Sequence, residues 1–135
     1  MVKLNEAMKA AFATIKVFPF STASKDGVPN VIPIGMCYLQ EDDETIWVVD
    51  NFFNKTLANI KENPIGAIYV WGPESKGCFQ IKGDIEIITS GAEYDTMYKM
   101  VKAKGEMFPA RSLMKMKITE VFECKGGPGA GDKLL

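Results

Sequence analysis

The sequence contains no histidine and a single arginine, Arg111. Without imidazole there is no ready general base near neutral pH and no histidine ligand for zinc or haem. With one guanidinium, recognition by several bidentate arginine clamps is excluded. Cysteine is also sparse: Cys37, Cys78 and Cys124 lie far apart with no Cys-x-x-Cys spacing, so neither a zinc site nor a disulfide framework is signalled. No run approaches the ~20 apolar residues of a membrane span, and the start of the chain lacks a basic segment followed by an apolar stretch. The expectation is therefore a cytoplasmic location with no membrane partner. Neither sign of charge is in excess: Lys+Arg 16 against Asp+Glu 17 leaves a net charge of -1. That provides no field for recruiting nucleic acid.

What is present is ordinary globular material. Hydrophobic residues make up 47% and charged residues 24% of the 135 positions, which suits one domain with one core. Residues 1–125 carry patterned segments and are read as that single domain; residues 126–135 form a glycine-rich tail. The stretch 5–15 sets Ala7, Met8, Ala11, Phe12 and Ile15 on one helical stripe with Asn5 as N-cap. Two strand-like runs, 17–24 and 28–38, flank Lys25-Asp26-Gly27, a hairpin signal. After the acidic turn 41–44, residues 45–50 are apolar on both faces, which predicts a central strand. Residues 55–62 read as a helix ended by Asn63-Pro64, and 65–71 as strand.

The clearest alternation is in 78–87, where Phe79, Ile81, Gly83, Ile85 and Ile87 share one face. Tyr94, Met97, Tyr98 and Val101 recur at helical spacing within 93–104 and predict a helix covering the sheet. Met114, Met116 and Ile118 alternate in a last strand to Phe122. The fold expected is mainly β: a six-stranded antiparallel barrel with two to three flanking short helices. Residues 126–131, four of them glycine, are expected to be disordered.

The segment 50–59, Asp-Asn-Phe-Phe-Asn-Lys-Thr-Leu-Ala-Asn, leaves a strand and enters a helix. Its helix N-terminus, the Lys55 charge and the Thr56 hydroxyl are the parts of a phosphate seat, with Asn59 one turn on along the same face. The same residues also fit a plain helix start, with Asn54 as cap, Lys55 solvated and Thr56 satisfying a backbone group. Cys37 and Cys78 read as buried small hydrophobes, and Cys124 as nearer the surface.

Taken in order, Thr22-Ala23-Ser24-Lys25-Asp26-Gly27-Val28-Pro29-Asn30, Pro33-Ile34-Gly35, residues 47–56, Asn63-Pro64 and Gln80-Ile81-Lys82-Gly83 resemble the pyridoxamine-phosphate-oxidase-like FMN-binding split barrels. The resemblance implies a split barrel and a homodimer with FMN at the subunit interface. It implies phosphate contacts from Lys55 and Thr56, joined by Asn59. Isoalloxazine contacts are implied from Pro33, Ile34 and Gly35 and from Val49, Asp50 and Asn51, with a polar contact from Gln80. The activity implied is FMN-dependent hydride or electron transfer, with no catalytic side chain assigned and no metal. A flavin-binding or electron-transfer protein without turnover, and a barrel holding F420 or haem, are the alternatives. The chain departs from the pyridoxine-phosphate oxidases themselves, which are longer and hold the substrate phosphate with additional basic residues. Their substrate pocket is not expected here.

Overall fold

The computed structural model describes residues 2–135. In chain order its elements are α1 (Glu6–Ala13), β1 (Phe18–Ala23), β2 (Pro29–Ile34), β3 (Cys37–Leu39), β4 (Thr45–Asp50), α2 (Lys55–Glu62), β5 (Ile65–Val70), β6 (Phe79–Ile88), α3 (Ala92–Lys104) and β7 (Ser112–Glu123). The strands form one seven-stranded sheet in the order β2-β1-β5-β6-β7-β4-β3. Every pairing in it is antiparallel.

The strand count is one more than the sequence predicts, because the single run expected over 28–38 is broken at Gly35 and Met36. That break determines the shape. β2 and β3 are consecutive in the chain yet occupy opposite edges of the sheet. Laid flat, seven strands would hold those edges about 29 Å apart. From Ile34 to Cys37 the backbone reaches at most about 11 Å. The sheet therefore has to curl until its edges nearly meet, giving a barrel that is split between β2 and β3.

The β1–β2 turn forms as expected, with Gly27 at φ +85° and its N–H donating to the Ser24 carbonyl at 2.9 Å. Asn5 caps α1 by accepting from the Met8 N–H at 2.9 Å. Inside the curl, Phe20, Ile46, Val48, Ile68, Ile81 and Met116 are fully buried. Each such burial is worth about 1.5–3 kcal/mol. β4 is buried at every position, as its composition suggested, but it is not central. It lies one strand from the edge, and its outer face is closed instead by α3: Trp47 and Val49 pack with Met97, Val101 and Leu113. The tail is also more ordered than its glycines suggest. It turns back along β7, where the Leu134 N–H donates to the Val121 carbonyl at 2.7 Å and Phe122 bridges Lys133.

The β3–β4 hairpin is held by Asp42. Its carboxylate accepts from the Thr45 hydroxyl at 2.7 Å and from the Glu44 and Thr45 amides at 3.0 and 2.9 Å. Partial burial pushes the Asp42 carboxyl up, but these hydrogen bonds outweigh it and the carboxyl ends below its ordinary value. A carboxyl lowered in the folded state contributes stability above its unfolded pKa and loses it as pH falls through the folded value. Asp42→Asn is therefore expected to be less stable than the parent near neutral pH, with the difference closing below about pH 4. Urea denaturation at a series of pH values measures this, and a difference that widens toward acid would contradict it.

Candidate functional site

The seam of the barrel opens into a cleft of about 640 Å³. That volume lies within the usual range for small-molecule sites, roughly 300–1,000 Å³. One wall is the end of β2 and the break after it: Ile32, Pro33, Ile34, Gly35 and Met36. The facing wall comes from Val49 at the end of β4 and from Asn51, Phe52 and Phe53 in the turn that follows. Phe108 and Lys104, at and beyond the end of α3, close one side together with Tyr38. The Lys104 ammonium stands 5.6 Å over the Tyr38 ring. Phe52 is 73% exposed, a large apolar side chain with no core role. Among the described residues the only titratable side chains on the walls are Tyr38 and Lys104, so the cleft offers an apolar slot, a phenol and a cation but no carboxylate.

The turn from β4 into α2 is fixed from beneath. Asp50 is 1% exposed, and its oxygens accept from the Phe53 N–H at 2.9 Å, Arg111 at 2.8 Å and the Ser112 hydroxyl at 3.0 Å. Asn51 holds the opposite side: its Oδ1 accepts from the Ala110 N–H at 2.9 Å, while its Nδ2 lies 3.4 Å from the Met36 sulfur. Ala110 sits at φ +47°, a strained conformation for a residue with a Cβ. It is held there by Asn51 on its N–H and by the Tyr94 hydroxyl on its carbonyl, at 2.9 Å each. The cleft is thus tied through Asn51 to the segment between α3 and β7. Nothing in the local sequence around Ala110 marks it, since alanine carries no signal for a left-handed backbone.

A family model described as pyridoxamine 5'-phosphate oxidase matches residues 4–125. The chain belongs to the pyridoxamine 5'-phosphate oxidase family. An uncharacterized protein of Methanocaldococcus jannaschii is 36% identical over 132 residues, 97% of this chain and 87% of that relative. Among solved structures, HupZ of Group A Streptococcus superposes with a TM-score of 0.79 at 23% identity, over 95% of this chain and 99% of that one. An FMN-binding protein of Syntrophomonas wolfei does so at 0.72 and 20% identity, over 89% and 84%. The likeness to these structures confirms the split barrel.

Within this family fold the residues expected at the site fall into three places. Pro33, Ile34, Gly35, Val49 and Asn51 line the cleft, and Asp50 lies directly behind it with its carboxylate engaged by the protein. Lys55, Thr56 and Asn59 are on α2, which starts two residues after Phe53. Lys55 is exposed, whereas Thr56 is 1% exposed with its hydroxyl accepting from Asn30 at 3.0 Å. Asn59 donates to the Thr22 hydroxyl at 3.1 Å, so Thr22, Asn30, Thr56 and Asn59 form one polar cluster joining α2 to β1 and β2. Asn54 makes no side-chain cap, which leaves the first amides of α2 without that partner. Gln80 lies apart, on the outer face of β6 between Tyr69 and Phe122. Cleft residues that sequence reasoning missed are Ile32, Met36, Tyr38, Phe52, Phe53, Lys104 and Phe108, brought in by the curl of the sheet and by α3.

Proposed function

We propose that the protein binds FMN in the seam cleft and works as a flavin-dependent oxidoreductase, as a homodimer. The observation that carries this reading is the pairing of a mainly apolar slot, with no carboxylate on its walls, and a helix start bearing Lys55. A flat aromatic ring system suits the walls made by Pro33, Ile34, Val49 and Phe108, and a phosphate suits Lys55 with the uncapped amides of α2. Bound flavin supplies hydride and electron transfer itself, so the protein needs only to orient it, exclude water and offer hydrogen bonds. The FMN-binding relative in Syntrophomonas wolfei lends support. Asp50 then acts as a positioning residue: it fixes the turn that presents Asn51 and Phe52 to the ring and Lys55 to the phosphate.

The homodimer reading rests on the flavin contact that the family resemblance implies for Gln80. That amide stands on the outer face of β6 and is not among the residues lining the cleft, so such a contact would need a second copy of the chain. A monomer in sedimentation at micromolar concentration would overturn this part.

The absorption spectrum of the purified protein, with the released cofactor identified by mass, tests the cofactor. FMN mass supports the reading; a deazaflavin or haem mass replaces it, and failure to bind added FMN removes it. Steady oxidation of NAD(P)H by the flavin-loaded protein supports the oxidoreductase, and tight flavin binding without turnover leaves a carrier. Lys55→Ala is expected to weaken FMN binding about tenfold or more, the worth of one charge-assisted contact. Because Lys55 is exposed, the thermal midpoint should not move. Unchanged affinity would remove Lys55 from the site.

A further inference from the structure

We propose that Cys78 and Cys124 form a redox-active dithiol that closes to a cross-strand disulfide at the end of the β6–β7 ladder. The register pairs Phe79 with Glu123, which sets Cys78 opposite Cys124 one step further out. The hydrogen bond expected there is present: the Cys124 N–H donates to the Cys78 carbonyl at 2.8 Å. Residues opposed in this way project to the same face with Cα atoms about 5.5 Å apart, inside the roughly 4.4–6.8 Å that a disulfide spans. Both strands end at this pair, so the small further approach of the two Cβ atoms is not resisted by ladder on the far side.

The neighbours confirm that both sulfurs lie on this outer face. Cys78 Sγ is 3.4 Å from the Tyr69 hydroxyl, and Gln80 Nε2 donates to Cys124 Sγ at 3.4 Å. Burial of the two cysteines is only partial, unlike Cys37, whose buried thiol is pushed far above its ordinary pKa. The contact with Cys78, ahead of burial, pushes the Tyr69 phenol up to about 12, so that it remains protonated at neutral pH and able to donate to a thiolate.

The oxidant is a small-molecule disulfide, RS–SR. One cysteine, as thiolate, attacks a sulfur of RS–SR and releases RS⁻; the second thiolate attacks the mixed disulfide and releases another RS⁻. The two thiol protons end on the two RSH products, and two electrons pass from the cysteine pair to RS–SR. Since Cys124 lies two residues before the glycine-rich tail begins at Gly126, the closed form ties the approach to that tail to β6.

The experiment is incubation of the purified protein with oxidised glutathione, followed by mass spectrometry of the intact chain and of a non-reducing digest. The expected result is a loss of about 2 Da and a peptide joining Cys78 to Cys124, both unchanged in Cys37→Ser. Cys78→Ser and Cys124→Ser should each stop at a glutathione adduct. Oxidation should raise the thermal midpoint by about 5–10 °C, reversed by dithiothreitol. Persistent adducts on the parent chain, thiols that stay free, or a link joining two chains would each overturn the proposal. Because Gln80, the residue proposed to reach the flavin of a second copy, lies against Cys124, the incubation is run with and without added FMN; closure of the intrachain disulfide in either state supports the proposal and its absence in both overturns it.

Discussion

Gly83→Ala is expected to lower the thermal midpoint by about 10 °C or more, and Gly83→Val to prevent folding. A Cβ at position 83 would lie 2.5 Å from the Lys117 carbonyl oxygen and 2.7 Å from the Met116 Cγ. The methionine can swing aside; the carbonyl cannot, because Lys117 is paired with Thr45 on one side and Asp84 on the other. The register of β6 against β7 shifts between Lys82 and Gly83, a bulge that bends the sheet locally. Across from it stands Gly66, whose own added Cβ would meet Phe20 and Ile85 at 2.8 Å. The curl that brings β2 near β3, and with it the cleft, depends on backbone approach at this point. Gly35→Ala is the control, since nothing lies within 4 Å of a Cβ there. Its change should stay within about 0.5 kcal/mol. Equal losses at Gly35 and Gly83 in thermal melts would show that the crowding at Gly83 is not what matters.

Much of this architecture is written in local pattern. The alternation of Phe79, Ile81, Gly83 and Ile85 is realised as an inward face, and the Asp26-Gly27 turn and the Asn5 cap form where their chemistry asks for them. What local pattern could not carry is the division of 28–38 between two sheet edges. Apolar character runs on through Gly35 and Met36, and only the strand order shows that the chain leaves one edge there and joins the other. β4 misled for a related reason: burial on both faces comes from α3 rather than from a central place in the sheet. In the tail, glycine predicts turns without saying where they lead, and here they return to β7.

At the cleft, it was the family resemblance, not local pattern, that pointed to Pro33, Ile34, Gly35, Val49 and Asn51, which the hairpin from β3 to β4 and the seam bring together. Lys104, Phe108 and Ala110 are distant in sequence and carry no motif. Cys78 and Cys124 show the same limit, since their spacing means nothing until the β6–β7 register is known.

Asp50→Ala should lose stability and flavin affinity together. The carboxylate is buried and holds three donors that belong to the turn, to Arg111 and to Ser112. Removing one partner of a buried ion pair costs about 3–5 kcal/mol. Arg111 keeps 47% of its side chain in water and can be solvated in the variant, which brings the expectation down to about 2–3 kcal/mol. Asp50→Asn preserves an acceptor for the Phe53 N–H but sets an amide beside the guanidinium, so about 1 kcal/mol is expected. Urea denaturation measures both. Because Asn51, Phe52 and Lys55 all hang on this turn, FMN affinity in Asp50→Ala should fall more than tenfold at temperatures where the protein is still folded. Stability lost with affinity intact would instead assign the placing of the turn to the Asn51–Ala110 hydrogen bond, and Asn51→Ala would then have to show the loss of flavin that Asp50→Ala did not.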